Sequence, residues 1–239
     1  MEVIKDSITK SLKNTLEKVL EENIDYFNSS NKLINHRVIY CNKWTEIQNS
    51  KYIHLVEMLQ NECEHLNDIF KHNTLIQLNI LNAPPDCNNQ LFHLDYMGDS
   101  ISYFIPFVEL SDLNGTEYLY FFDKENYKKY YMYLLEMNSK YLDRNGAIEY
   151  LSKVDLIKDV DYAFKFANSD AYSLIYMPHY VYHRGQKNKT NRNRLMLNVL
   201  FSIENTYNYP IGEYVLDTEI DEKSRELDIL AIRNDRIIY

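Results

Sequence analysis

The 239-residue chain contains few glycines and prolines, five of each, and three cysteines. An odd number of cysteines, Cys41, Cys63 and Cys87, with no short pairing pattern argues against a disulfide-stapled secreted domain, so we expect buried free thiols in a reducing compartment. No stretch approaches the ~18 apolar residues of a membrane helix, and the first residues lack the apolar core of a signal peptide. We therefore expect a cytoplasmic protein with no membrane partner.

An excess of positive charge is also absent. Lys and Arg number 26 against 35 Asp and Glu, which gives a formal net charge of −9. Because nucleic-acid binding depends on clustered cations that neutralise phosphates, this balance argues against a nucleic-acid partner. The length and the hydrophobic fraction of 45% are sufficient for one large domain with its own core.

Apolar residues recur at helical spacing in the first third of the chain and predict two supporting helices. One runs from Ile4 to Ile24, and the other covers roughly residues 51–71. Helical spacing returns at about 124–163, which we interpret as an insertion between strands. The tail, 204–239, is predicted to add a final helix or an edge strand.

From residue 74 the apolar spacing shortens to alternate positions, which is typical of strands with one face on a core. The predicted strands are 74–81, 100–107, 116–122, 171–183 and 194–203. Helices followed by many short strands indicate a mainly β fold with flanking α, built on a jelly-roll (double-stranded β-helix, cupin-like) core. We expect one domain over 1–239, with helical support in 1–73, the core in 74–203 and a C-terminal extension in 204–239.

The stretch LFHLDYMGDS places His93 and Asp95 two positions apart, where strand residues share a face. Alone this pattern is weak, because a His-x-Asp arises by chance in roughly every second sequence of this kind. A second stretch, HRGQKNKTNRNRLMLNV, begins at His183 and has Arg194 eleven residues further on. Two histidines and a carboxylate leave neighbouring positions open on Fe(II), and a buried arginine holds a dicarboxylate through a forked pair.

Two neighbouring residues compete with these candidates. His179 lies four residues before His183 and would share its strand face, but the His-x-Gly-x-x-Asn context favours His183. Arg192 competes with Arg194 for the dicarboxylate. Arg194 is favoured because it opens the apolar run LMLNVLF and would point inward with Asn198, whereas Arg192 lies in the polar turn.

Two segments resemble the Fe(II)/2-oxoglutarate-dependent oxygenases, specifically the phytanoyl-CoA dioxygenase-like branch. They are FHLDYMGDSISYFIPFVELSDLNGTEYL and NSDAYSLIYMPHYVYHRGQKNKTNRNRLML, within about residues 74–203. The resemblance rests on a combination of His-x-Asp, Asn-Gly-Thr-Glu, His-x-Gly-x-x-Asn-x-Thr and the arginine at plus eleven. It implies Fe(II) as cofactor and 2-oxoglutarate and O2 as co-substrates. The implied reaction hydroxylates a small molecule or a protein residue and releases succinate and CO2.

Carried over by position, the resemblance makes His93, Asp95 and His183 the iron ligands at the catalytic centre. It makes Arg194 the partner of the 2-oxoglutarate C5 carboxylate, and it makes three further residues candidate contacts for the co-substrate: Asn79, Gln77 and, as a lesser candidate, Thr116. Asp95 argues for hydroxylation, because members that halogenate have a small residue there.

Glycines fall inside two of these motifs. Gly115 and Gly185 are expected where a turn needs positive φ or the backbone approaches closely. Gly185 also departs from the family pattern, since many members have a serine there. A hydroxyl contact to the co-substrate would then be missing or replaced.

Three alternatives remain open from the sequence. One is a non-catalytic jelly-roll binding protein, and another is a metal-dependent cupin with different chemistry. The third is a nucleic-acid demethylase of the AlkB type, for which RGQKNKTNRNR supplies five positive charges, although the long Arg-to-Arg spacing of that branch is absent. The lysine co-substrate anchor of prolyl hydroxylases is also missing. The sequence predicts a small-molecule or peptide substrate and gives no signal for its identity or for the oligomeric state.

Overall fold

A computed structural model describes residues 1–5, 7–22, 36–41, 53–94, 100–154 and 162–202. Within these ranges the chain forms nine strands and five helices. In chain order they are β1 (Glu2–Ile4), α1 (Lys10–Glu21), β2 (His36–Cys41), α2 (Ile53–Glu62), α3 (Glu64–His72), β3 (Thr74–Ala83), β4 (Ser100–Pro106), β5 (Thr116–Phe121), α4 (Lys124–Lys140), α5 (Arg144–Ser152), β6 (Tyr162–Phe166), β7 (Leu174–Pro178), β8 (His183–Gly185) and β9 (Arg194–Ser202).

The described strands form two antiparallel sheets. The large sheet has the order β1-β7-β4-β9-β3-β2, and the small sheet has the order β6-β5-β8. An isolated antiparallel bridge between His93 and His183 adds one more residue beside β8. Strands that follow one another in the chain therefore lie in different sheets at several points. The mainly β fold that the sequence predicts is confirmed.

The outer face of the large sheet packs on the N-terminal helices. Alternate residues of β9, such as Leu197 and Phe201, share a core with Leu16 of α1 and Leu59 of α2. Helix α1 begins after Thr9, whose hydroxyl accepts a hydrogen bond from the amide of Leu12 at 3.1 Å. Because the first-turn amides of a helix have no partner inside the helix, this cap fixes where α1 starts.

The inner face of the large sheet meets the small sheet. Phe104, Ile175 and Met196 of the large sheet form an apolar cluster, and Tyr118 of β5 packs against it. The outer face of the small sheet, which includes Leu119, packs instead on α4 and α5. Because side chains alternate along each strand, the outer faces of both sheets are apolar, whereas the inner faces between the sheets also carry polar residues.

Several elements differ from the sequence prediction. The chain is a strand at Glu2–Ile4, paired with β7, and α1 starts only at Lys10. The second predicted helix is divided at Cys63 into α2 and α3, and the predicted helical insertion ends at Ser152, before β6. The tail, 204–239, lies outside the described residues. None of the helices in the described ranges is long and apolar enough to cross a membrane.

The two cysteines whose side chains are described are free and buried, Cys63 and Cys87. Burial raises the pKa of the Cys63 thiol. A protonated, buried thiol is a packing residue rather than a nucleophile.

Candidate active site

His93 and His183 lie side by side on the inner face of the small sheet. Each backbone amide donates to the carbonyl of the other residue, at 2.8 Å from His93 and 2.9 Å from His183. The ring centroids are 4.6 Å apart. Directly opposed residues of an antiparallel pair project to the same face, so the bridge brings the two imidazoles together.

The backbone also sets the protonation of both rings. Nδ1 of His93 lies 2.8 Å from the carbonyl oxygen of Leu91, and Nδ1 of His183 lies 2.9 Å from that of Val181. Because a carbonyl oxygen only accepts, the neutral rings carry their proton on Nδ1 and their lone pair on Nε2. Metal-binding histidines are oriented in this way by a carbonyl or carboxylate on the second nitrogen.

The third predicted ligand, Asp95, lies outside the described residues. Among those that are described, no group of three His, Cys, Asp or Glu side chains is placed to hold a metal ion. Two imidazole nitrogens on one sheet face are a donor set that suits iron, zinc, copper or nickel. The residues present fit a metal bound through Nε2 of both rings.

His179 is not part of this pair. It lies in the turn after β7, and its ring meets Tyr131 of α4 edge-on, with centroids 5.3 Å apart. His183 is therefore the histidine beside His93. The assignment of His183 as a metal ligand stays a prediction.

Strand β5 and the turn before it connect the histidine pair to Arg194. Thr116 of β5 lies opposite Gly185, which is two residues beyond His183. Two residues before Thr116, the carbonyl oxygen of Asn114 accepts a hydrogen bond of 2.7 Å from Nη1 of Arg194. Thr116 thus lies between the histidine pair and the buried guanidinium.

Arg194 is fully buried, whereas Arg192 lies exposed in the preceding turn. Burial lowers the pKa of Arg194 to about 10, which still leaves it charged at neutral pH. A buried charge costs several kcal/mol unless a counter-charge and hydrogen bonds accompany it, on the order of the penalty known for buried ions. A carboxylate bound beside the guanidinium would offset part of this cost.

Three amide side chains line the inner face of the large sheet. Asn79 of β3 lies opposite Asn198 of β9, and Nδ2 of Asn198 is 3.5 Å from Oε1 of Gln77. Asn79 is 1% exposed, and neither its Nδ2 nor its Oδ1 has a hydrogen-bond partner in the described structure. Since an unsatisfied buried polar group costs about 1–3 kcal/mol, Asn79 is placed to bind a ligand or water.

A buried ion network lies behind the histidine pair, on the outer face of the small sheet. Oε2 of Glu117 accepts from Nε of Arg184 at 2.8 Å, and Oε1 accepts from Nε of Arg144 at 2.8 Å. The Arg184 guanidinium also lies over the ring of Phe92, 4.8 Å from its centroid. The network joins β5, β8 and α5 directly behind His183.

The loop between β8 and β9 is fixed by one side chain. Nδ2 of Asn188 donates to the carbonyl oxygens of Ala83 and Arg192, both at 2.7 Å. Its Oδ1 accepts from the amide and the hydroxyl of Thr190 at 3.1 and 2.7 Å. The Asn-x-Thr of the sequence motif is thus the bonding centre of this loop.

No role was predicted from the sequence for Glu117, Arg184 or Lys165. The sequence did contain a signal for the first two, because Glu117 belongs to the Asn-Gly-Thr-Glu motif and Arg184 directly follows His183.

Glycine is required at position 115 because the backbone of another segment approaches closely. A Cβ there would lie 2.5 Å from the Ala167 carbonyl oxygen. Positive φ is not the reason, since none of the glycines in the described ranges has positive φ.

No family model and no curated protein matches the sequence. Solved structures do match. EctD from S. alaskensis superposes with a TM-score of 0.58 at 10% identity, over 89% of this chain and 76% of that chain. SnoK, a non-heme alpha ketoglutarate dependent carbocyclase from nogalamycin biosynthesis, gives 0.53 at 11% identity, over 83% and 78%.

HygX from Streptomyces hygroscopicus, crystallised with nickel and 2-oxoglutarate bound, gives a TM-score of 0.50 at 9% identity, over 84% of this chain and 81% of that chain. The chain shares the fold of these proteins. At such identities the likeness extends to the fold, and the chemistry has to be argued from the residues of this chain.

Proposed function

We propose that this protein is an Fe(II)- and 2-oxoglutarate-dependent dioxygenase of the phytanoyl-CoA dioxygenase-like branch. It would hydroxylate a small molecule or a protein residue and release succinate and CO2. The observation that carries the proposal is the His93–His183 pair, in which both Nδ1 atoms are bonded to carbonyls so that both Nε2 atoms can bind one metal. The shared fold with EctD, SnoK and HygX supports it.

We also propose that the core is a double-stranded β-helix. Strands β3, β4, β7 and β9 belong to the large sheet, whereas β5, β6 and β8 belong to the small one, beside which the His93 bridge lies. From β3 to β9 the chain therefore passes back and forth between the sheets. That alternation is the winding expected of a jelly roll.

In this proposal His93, His183 and Asp95 hold the metal. Bound Fe(II), together with 2-oxoglutarate and O2, supplies the oxidising power for attack on an unactivated C–H bond. The backbone carbonyls of Leu91 and Val181 keep the imidazole proton on Nδ1 and fix both ring planes. The protein thereby presents its nitrogen donors already oriented, without rotating either ring when metal arrives.

Arg194 would hold the C5 carboxylate of 2-oxoglutarate. Its guanidinium is desolvated, so a forked, charge-assisted pair with a carboxylate would be strong and would exclude a lysine substitute. Thr116 would supply the hydroxyl that serine gives many family members at the position of Gly185, because the two residues face each other across β5 and β8. Nδ2 of Asn79 would add a neutral donor.

The proposal is tested by anaerobic titration of the protein with Fe(II) and 2-oxoglutarate. Wild-type protein is expected to develop the visible charge-transfer absorption of an Fe(II)–2-oxoglutarate chelate. His183→Ala is expected to abolish it. His179→Ala is the matched control, because that histidine lies four residues away, against Tyr131, and should leave the absorption unchanged.

Turnover provides the second measurement. Succinate release from 2-oxoglutarate should require both Fe(II) and O2 and should be lost in His93→Ala. A wild-type protein that binds neither metal nor 2-oxoglutarate would instead be a non-catalytic jelly-roll binding protein. Loss of the absorption in His179→Ala but not in His183→Ala would move the metal site to the other histidine.

A further inference from the structure

Lys165 lies on the same face of the small sheet as the histidine pair. In the strand register, Tyr118 of β5 pairs with His183 on one side and with Lys165 of β6 on the other. Phe164, the neighbour of Lys165 in β6, packs on the opposite face against the α4 and α5 core. Lys165, Tyr118, His183 and His93 therefore form one row across the inner face.

The spacing of the strands fixes the distance between the backbone of Lys165 and that of the proposed metal ligands. Adjacent strands lie about 4.8 Å apart, and Lys165 is two strands from His183, so their backbones are roughly 10 Å apart. A lysine side chain can shorten that distance considerably because it is long and flexible. A molecule bound over His183 would have the Lys165 ammonium within reach of its other end.

Lys165 is exposed, and within the described residues it forms no ion pair. Its ammonium instead lies over the ring of Tyr120, 3.8 Å from the centroid, and 6.0 Å from the centroid of Phe122. The acid nearest in the strands, Glu117, points to the outer face and is held by two arginines.

Phe122 adds an apolar surface at the same place. Its side chain is 59% exposed, and its ring meets Tyr120 edge-on with centroids 5.9 Å apart. A cation over one aromatic ring beside a second, exposed ring matches a ligand that joins an anionic group to an apolar body. Such a ligand would pair its charge with Lys165 and cover Phe122.

We propose that the primary substrate is an organic anion, a carboxylate or phosphate ester with an apolar body, whose charged group is bound by Lys165 while the rest extends over Tyr118 toward His183. This inference rests on the proposed function, since it names the substrate class of the same site. Lys165 would select substrates rather than bind 2-oxoglutarate, because the buried guanidinium of Arg194 already supplies a cation for the co-substrate.

The test uses phenylacetate and phenylacetamide, which have nearly the same shape and differ in charge. Binding of each is measured by saturation-transfer NMR and titration on protein loaded with Zn(II) and saturating 2-oxoglutarate, so that no turnover occurs. Wild-type protein is expected to bind phenylacetate at least tenfold more tightly than phenylacetamide. Lys165→Met keeps the aliphatic stem and should remove that difference, whereas Lys165→Arg should retain most of it.

Lys140→Met is the matched control. The Lys140 ammonium also lies 3.8 Å from a tyrosine ring centroid, that of Tyr150, but on α4 and beside Glu136. This variant should leave the preference for phenylacetate intact. Equal binding of the two probes by wild type, no binding of phenylacetate, or an anion preference that survives Lys165→Met would each overturn the inference.

Two readouts separate this inference from the proposed function. The charge-transfer absorption with Fe(II) and 2-oxoglutarate should be the same in Lys165→Met as in wild type. If the wild-type protein lacks that absorption, the proposed function is refuted, whether or not phenylacetate and phenylacetamide bind. If phenylacetate displaces 2-oxoglutarate, the probe is occupying the Arg194 site and the substrate role of Lys165 is refuted.

Discussion

Replacing Glu117 by alanine tests whether the buried ion network holds the histidine-bearing strand in place. The Glu117 side chain is 3% exposed, and that of Arg184, which contacts Oε2 at 2.7 Å through Nη2, is 10% exposed. Removing the carboxylate leaves the Arg184 cation buried without its counter-ion. Breaking a buried pair from one side costs about 3–5 kcal/mol of unfolding free energy.

The ion pair between Glu117 and Arg144 should contribute far less to the free energy of unfolding. Arg144 contacts Oε1 at 2.8 Å, but its side chain is 50% exposed, so water screens the pair. We therefore expect Arg144→Met to cost at most about 1 kcal/mol. Urea unfolding followed by circular dichroism gives both values. A cost below about 1 kcal/mol for Glu117→Ala, or equal costs for the two variants, would refute the distinction between buried and screened pairs.

The Glu117→Ala variant should also bind metal more weakly than the wild-type protein. Arg184 directly follows His183, so a loosened β8 would misplace one imidazole. Leu16→Ala is the matched control, because it removes a fully buried side chain from the distant helical core at a similar cost of about 2–5 kcal/mol. Calorimetry with Ni(II), at a temperature where both variants are folded, should show weaker binding only for Glu117→Ala. Equal Ni(II) affinity in both would restrict the network to stability.

Three further outcomes are expected. Arg194→Met should weaken 2-oxoglutarate binding by about 2–5 kcal/mol. The wild-type affinity should decline as the pH rises through about 10, where the buried guanidinium loses its proton, and calorimetry across that range checks both. Gly115→Ala should lower the unfolding free energy by about 1–3 kcal/mol, because its Cβ would meet two backbone oxygens, whereas Gly146→Ala, which meets mainly side-chain atoms, should be near neutral in thermal denaturation. Cys63 should resist iodoacetamide in the native protein and react after unfolding, as measured by mass spectrometry, because burial raises its thiol pKa.

The strands of the core were largely predictable from period two. Runs such as TLIQLNIL and RLMLNVLF alternate clearly, and they became β3 and β9. Three strands were not predicted: Glu2–Ile4, His36–Cys41 and Tyr162–Phe166. The first and last are short, and both lie at a sheet edge, where pairing with β7 or β5 supplies the stability that their own residues do not signal. The run predicted as one strand at 171–183 is instead divided into β7 and the start of β8, which lie in different sheets.

The histidine pair was predictable as candidates, but its geometry was not. The motif named His93 and His183, whereas the bonds from Nδ1 to the carbonyls of Leu91 and Val181 depend on local backbone conformation. The partner of Glu117 could not be inferred either, because a buried carboxylate and an exposed one have the same letter in a sequence. Lys165 was missed because no strand was predicted between the helical insertion, 124–163, and the predicted strand at 171–183.

Between His183 and Arg194 the chain forms the short strand β8 and then a loop. Asn188 sets the shape of that loop by hydrogen bonds to Ala83, Thr190 and Arg192. The side-chain amide of Asn188 therefore helps to fix the distance between His183, a proposed metal ligand, and Arg194, the proposed partner of the 2-oxoglutarate carboxylate. Homologous chains could have a longer loop and still hold the histidine and the arginine in the same relative positions, provided that an equivalent amide forms the same hydrogen bonds.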